Sequence, residues 1–168
     1  MNKINANEVS EEIKEAFRVN PRPERWAYFN LYEEETDRLN YLVDRTWLEV
    51  ADQPKFLKDH EFDDFSLMSA ECFLYFFPGY LLGIVSHPSG AFEQREHALL
   101  LILEPEKLDY GDHLFEYLLA KLTPDQKKAV AHFLQLLLER DEEAHPKVYE
   151  RGMLSQQLLA FDKWQEWA

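Results

Sequence analysis

The clearest structural signal in the chain lies in residues 122–137, which read LTPDQKKAVAHFLQLL. Thr123 has the side-chain oxygen of a helix cap, Pro124 suits the first helical position, and Gln126 completes the spacing of a capping box. Apolar residues follow at helical spacing and form one stripe: Val130, Phe133, Leu134 and Leu137. The segment therefore predicts a helix that runs to about Arg140.

Outside this segment, the spacing of apolar residues predicts further helices. They cover residues 5–18, 31–44, 78–86, 92–103 and 147–167. Pro78 starts one of them, because proline fits the first turn of a helix, where its missing N–H costs nothing. The aromatic run before it, residues 73–77, fits a helix or a strand, because its periodicity does not separate the two.

These elements predict an all-α fold. The chain has 168 residues, which suits one domain, and we assign residues 1–168 to a single irregular helical bundle of about five to seven helices. Only five glycines occur, and no Asn-Gly or Asp-Gly hairpin signal is present. The alternative is an α+β fold with one small sheet.

The composition is strongly acidic. Lysine and arginine total 18 against 32 aspartates and glutamates, which gives a net charge of −14 and a pI near 4.8. Such a chain repels phosphate backbones, and its densest basic cluster (Arg18, Arg22 and Arg25) is set among glutamates. We therefore expect no nucleic-acid binding, and an acidic surface of this kind suits a basic protein partner.

Half of that charge is concentrated between residues 31 and 66, where eleven acidic residues stand against four basic ones, a net charge of −7. Charge concentrated in this way raises a local electrostatic field, whereas evenly spread charge only aids solubility. We predict a partner-binding acidic face here, with Glu34, Asp37, Asp63 and Asp64 as its candidate residues. The alternative is a solvated surface without a partner.

No pattern of a catalytic or metal site stands out. Residues 59–64 offer several carboxylates and one imidazole but lack the glycine and the closing glutamate of a calcium-binding loop. Glu142 and His145 form one Glu-x-x-His, whereas a di-iron bundle needs that motif on two helices, and Pro146 follows at once. We assign no catalytic, cofactor-binding or metal-binding residue and expect no cofactor.

The single cysteine and the apolar runs bear on the compartment. Cys72 lies in the apolar run CFLYFF, which predicts a buried, unreactive thiol. Because it is the single cysteine, an intrachain disulfide is excluded. The first residues have no apolar stretch typical of a signal peptide, and the longest apolar run, residues 72–85, is too short to cross a bilayer. We expect a cytoplasmic protein without membrane contact.

Two motifs resemble those of a known family. The run FLYFFPGY at residues 73–80 resembles an aromatic run that ends in Leu-Pro-Ala-Tyr, with Phe77 and Gly79 in place of the usual Leu and Ala. The capped helix start LTPDQ, followed by AVAHFL, resembles a Leu-Thr-Pro-x-Gln helix. With Trp47 upstream, the chain resembles the bacterial domain of unknown function 6714 family as far as Arg140. The resemblance implies a bacterial source and no particular activity.

The sequence favours an interaction role over catalysis. We predict a non-enzymatic protein-interaction module with an acidic surface, and an immunity- or antitoxin-like protein that covers a basic partner is one concrete form. The alternative is a metal-assisted enzyme whose site is assembled from dispersed acids and histidines. A homo-oligomeric structural protein is a third class, and the sequence does not fix an oligomeric state.

Overall fold

The computed structural model describes the chain at residues 3–23, 42, 44–52, 65, 68–87, 92–104, 112–146 and 156–167. Seven helices occupy these residues, and no strand occurs among them. The helices are α1 (Ala6–Ala16), α2 (Trp47–Asp52), α3 (Ala70–Ser86), α4 (Glu93–Leu103), α5 (Asp112–Lys121), α6 (Pro124–Ala144) and α7 (Gln156–Gln165). The all-α prediction is confirmed, and the run 73–77 is helical.

The chain divides into two compact units. One contains Met1–Phe17 and Leu100–Ala168, and the other contains Arg18–Leu99, so the boundary falls inside α4. The assignment of residues 1–168 to a single domain stays a prediction.

The long helix α6 organises the first unit. The Thr123 hydroxyl accepts from the Gln126 N–H at 3.3 Å, and the Gln126 side chain accepts from the Thr123 N–H at 3.0 Å. The predicted capping box is therefore confirmed, and the helix runs beyond its predicted end to Ala144. Within residues 129–138 every side chain except the half-buried His132 is buried, so neighbouring helices must cover nearly the whole circumference of α6.

Two helices pack on α6 in this unit. α1 confirms the predicted helix 5–18 and is capped by Asn5, whose side chain accepts from the Asn7 N–H at 2.8 Å. It buries three apolar side chains at helical spacing: Val9, Ile13 and Phe17. Burial contributes about 1.5–3 kcal/mol for each side chain of this size. α7 buries Trp164, whose indole N–H donates to the Leu103 carbonyl at 3.0 Å, so the one polar atom of that ring is satisfied.

The second unit is built around α3. Ser69 caps the helix, because its hydroxyl accepts from the Cys72 N–H at 3.2 Å. Between residues 72 and 85, Leu74 alone is not fully buried. Aromatic rings pack edge-on at its centre, where the Phe65 ring centroid lies 5.2 Å from that of Phe73 and 4.8 Å from that of Tyr80. Among the described helices, none combines the length and apolar character that a bilayer crossing requires.

The short helix α2 packs on α3 in this unit. A capping box starts it: the Thr46 N–H donates to Glu49 Oε2 at 2.7 Å, and the Glu49 N–H donates to Thr46 Oγ1 at 3.3 Å. The Trp47 carbonyl then lies directly over Gly79, where an added Cβ would stand 2.2 Å from the oxygen. The two helices approach so closely because glycine has no side chain.

The predicted helix start at Pro78 is wrong. Pro78 lies in the interior of α3, which is continuous from Ala70 to Ser86. Proline has no N–H, so the Leu74 carbonyl four residues earlier loses its helical donor. Asn20 supplies donors instead, because its Nδ2 lies 3.4 Å from the Leu74 carbonyl oxygen and 2.9 Å from that of Tyr75. The helix therefore continues where the local sequence predicts a break.

The other predicted helices are described to different extents. The predicted helix 92–103 is confirmed as α4, and α7 confirms the second half of the predicted helix 147–167. Residues 147–155 and most of the predicted helix 31–44 lie outside the described residues. α5 has no counterpart among the predicted helices, because only a short one-sided repeat, with Leu114 and Leu118 buried four residues apart, marks it in the sequence.

Candidate functional site

The predicted acidic face lies outside the described part of the chain. Its four candidate residues, Glu34, Asp37, Asp63 and Asp64, all fall in ranges whose placement the structure does not describe. The acidic run 59–64 falls there as well. The face therefore stays a prediction, and any site with observable geometry must come from other residues.

An acidic surface does occur on α1. Glu8, Glu11 and Glu15 are exposed, and their spacing of three and four residues places them on one side of the helix. We call these three residues the α1 acidic face. The Lys14 ammonium lies 2.8 Å from Glu11 Oε1 and offsets part of the negative charge. The face stands opposite the side of α1 that carries the buried Val9 and Ile13.

A line of polar contacts joins α1 to α6, and we call it the α1–α6 seam. At its centre, Glu12 Oε2 lies 2.5 Å from His132 Nδ1, and Lys128 Nζ lies 3.7 Å from the other oxygen of Glu12. The Glu12 and His132 side chains are 28% and 35% exposed, so the pair is screened from water more than a surface pair is. The seam fixes which side of α1 faces α6.

The seam continues to the start of the chain. Glu139 accepts from the Ile4 N–H at 3.0 Å and from the Gln135 side-chain amide at 2.9 Å. Lys3 donates to Glu143, and this hydrogen bond, with the negative charge of the same carboxylate, raises the pKa of Lys3 above its ordinary value of 10.5. These contacts satisfy a backbone N–H before the first turn of α1 and the buried amide of Gln135.

The Glu12–His132 pair resembles part of a catalytic site. In nucleophilic enzymes an imidazole acts as the base, and a carboxylate bonded to one of its ring nitrogens orients it. Such enzymes also place a nucleophile or a metal beside the ring. Within the described residues, no group of three or more His, Cys, Asp or Glu side chains is arranged to hold a metal ion. The contacts that the pair makes join α1 to α6.

The cysteine and two further histidines that the chain offers as candidate site residues have structural contacts. Cys72 is a buried thiol without a disulfide, as predicted. His145 is the C-cap of α6 and follows its last helical residue, so Glu142 and His145 do not share a regular helix, also as predicted. The His87 ring stacks on the Phe92 ring with centroids 6.1 Å apart. Each of these side chains has a structural role in the described contacts.

The sequence analysis missed two polar arrangements that the structure shows, the Thr46–Glu49 capping box and the Glu12–His132 pair. The Thr46–Glu49 capping box carries a local signal, Thr-x-x-Glu, that sequence reasoning missed. The Glu12–His132 pair joins residues 120 positions apart, so no local sequence pattern predicts the contact. Only the packing of α1 on α6 brings these two side chains together.

The fold and the seam define a class: an all-α protein in which an acidic N-terminal helix is docked by a polar seam onto a long, largely buried helix. The family model described as a family of unknown function (DUF6714) matches residues 5–152. The chain belongs to this family, as its aromatic run and capped helix indicate. Comparison with curated proteins and with solved structures found no match.

Proposed function

We propose that the protein is a non-enzymatic interaction module that binds a basic protein partner through its acidic surface. The α1 acidic face carries the proposal, because Glu8, Glu11 and Glu15 present three exposed carboxylates on one side of a helix. A row of like charges complements a basic surface, and it steers a partner toward encounter over distances beyond direct contact. The net charge of −14 strengthens the same field.

The α1–α6 seam supports this proposal by holding the row in place. Glu12 points to His132 and Lys128, while the buried Ile13 anchors the same turn. A partner that meets a docked helix does not have to order it, so less conformational entropy is lost on binding. The seam is thus the scaffold for the acidic face.

The end of α6 adds negative charge beside α1. Asp141, Glu142 and Glu143 lie in the last turn of α6, which contains no basic residue. The helix macrodipole already places negative partial charge at this end, so carboxylates here oppose helix stability. The contact of Lys3 with Glu143 places this end next to the start of α1. The exposed carboxylates of Glu142 and Glu143 therefore add negative charge near the start of α1.

In its more specific form, the proposal is a cytoplasmic, bacterial, immunity- or antitoxin-like protein that covers a basic partner. The residues predicted from the sequence, Glu34, Asp37, Asp63 and Asp64, would add to the negative charge that attracts such a partner. Exposed charges are screened beyond about 8 Å at physiological ionic strength, so association with such a partner slows steeply as salt rises.

Matched charge variants test the proposal. The first carries Glu8→Gln, Glu11→Gln and Glu15→Gln, and the second replaces Glu34, Asp37, Asp63 and Asp64 by their amides. A control carries Glu116→Gln, Asp162→Asn and Glu166→Gln, three exposed acids on α5, α7 and the turn after α7. Partners are captured from the native host lysate, and their association rates are measured against salt concentration.

We expect the first two variants to lose captured basic proteins and the salt dependence of association, whereas the control retains both. If all variants retain the same partners at the same salt, the acidic residues form only a solvated surface. If the control loses them equally, net charge and not a local face is responsible.

A metal-assisted enzyme is the second candidate, and the Glu12–His132 pair is the observation that favours it. Elemental analysis of the purified protein separates the two candidates. We expect no stoichiometric transition metal for an interaction module, whereas one zinc, iron or manganese ion per chain favours the enzyme.

A further inference from the structure

The centre of α3 is intrinsically weak. Pro78 removes one backbone donor, and the adjacent Gly79 has among the lowest helix propensities, so two consecutive residues oppose helix formation. Proline in a helix interior costs about 3 kcal/mol and normally kinks or breaks the helix. The helix nevertheless continues through both residues.

Asn20 compensates for this weakness from outside the helix. A side-chain amide nitrogen carries two hydrogens, and the Asn20 Nδ2 lies within reach of two consecutive carbonyls, those of Leu74 and Tyr75. The Leu74 carbonyl is the one that Pro78 leaves without a helical donor. On the other flank, the Trp47 carbonyl closes directly over Gly79. Contacts from two other segments of this unit therefore meet the weak point of α3.

We propose that α3 carries a latched hinge at Pro78–Gly79, with Asn20 as the latch. While the amide of Asn20 is bonded to the two carbonyls, the two halves of α3 form one helix. When that amide is withdrawn, the Leu74 carbonyl has no donor from Asn20 or from the helix and requires water, and the half before Pro78 opens locally without unfolding of the whole chain. The fold thus contains a conformational device that a change at one side chain releases.

The single cysteine of the chain is a built-in probe of this opening. Cys72 lies in the half of α3 before Pro78 and is 3% exposed, so a thiol reagent reaches it only when that half opens or the chain unfolds. The labelling rate of Cys72 is measured in the full-length protein across a urea series. Opening of this half exposes its buried aromatic side chains but leaves the first unit folded, so it depends on urea less steeply than global unfolding does.

Four proteins are compared with the wild type. Asn20→Asp keeps the shape of the side chain but cannot donate, and Asn20→Ala removes the group. Pro78→Ala restores the backbone donor to the Leu74 carbonyl, and it is combined with Asn20→Asp. Thr123→Ala lowers global stability through a helix in the other unit and serves as the control.

We expect both Asn20 variants to label about tenfold faster at low urea, with a urea dependence smaller than that of global unfolding, because leaving the part-buried Leu74 carbonyl unsatisfied costs on the order of that factor. Pro78→Ala should abolish this acceleration, and Thr123→Ala should change labelling only through global unfolding. The proposal is overturned if the Asn20 variants label no faster, if their acceleration has the urea dependence of global unfolding, or if it persists with Pro78→Ala.

Discussion

The backbone carbonyl of Trp47 lies where the side chain of any other residue would begin at Gly79: a Cβ there would stand 2.2 Å from that oxygen. A backbone atom cannot move aside as a flexible side chain can, so the close approach of α2 to α3 requires glycine at this position.

Gly79→Ala should therefore destabilise the protein. Alanine gains about 1 kcal/mol of helix propensity over glycine, but overpacking against a fixed backbone costs about 1–3 kcal/mol and has the larger effect. Urea denaturation measures the difference. A stabilising Gly79→Ala would show that α2 moves away freely.

At Gly83 the added Cβ would meet the Phe92 ring and not a backbone atom, so Phe92→Leu should reduce the destabilisation that Gly83→Ala causes.

Thr123→Ala should lower the free energy of unfolding by about 1 kcal/mol, because the Gln126 N–H loses its capping acceptor. Gln126→Glu is the matched control, since a carboxylate also accepts from the Thr123 N–H, and it should be nearly neutral. Chemical denaturation of the three proteins gives the comparison. Equal losses for both substitutions would mean that the reciprocal bonds do not account for the cap.

The Glu12–His132 pair should show a measurable coupling energy in a double-mutant cycle with Glu12→Gln and His132→Gln. A partly screened pair is expected to contribute about 0.5–1 kcal/mol, and high salt should reduce the coupling. The more exposed Lys14–Glu11 pair is the control and should couple more weakly. A coupling of zero at low salt would show that the pair does not stabilise the docking of α1 on α6.

The stability of the protein should fall in acid partly through Glu49. The Thr46 backbone N–H and hydroxyl donate to its carboxylate, at 2.7 and 2.9 Å, and hold the pKa of Glu49 below its ordinary value of 4.5. A lowered folded-state pKa contributes stability above pH 4.5 that is lost as pH falls through the lowered value.

The stability difference between wild type and Glu49→Gln should accordingly shrink as pH falls below about 4.5. Denaturation measured from pH 7 to pH 3 checks this, with Glu116→Gln as the control for the loss of one exposed carboxylate. A difference that stays constant with pH would show that the bonds from Thr46 do not favour the ionised form.

Local patterns determine much of this structure. The helical spacing of α1 and the capping box at Thr123 are visible in the sequence, because caps and amphipathic faces depend on residues within one or two turns. The acidic character is equally visible in the composition. The family motifs also lie in continuous stretches, so the family could be identified from them.

Tertiary structure decided what local patterns could not. The sequence predicts a helix start at Pro78, but Asn20, 58 positions earlier, supplies the donors that let α3 continue. Glu12 meets His132 only because α1 docks on α6, and Gly79 is required only because Trp47 approaches it. In each case the deciding contact comes from a residue that is distant in the sequence. Hydrogen-bond partners and close approaches of this kind are fixed by packing, whereas periodicity and caps are fixed by the chain's own neighbours.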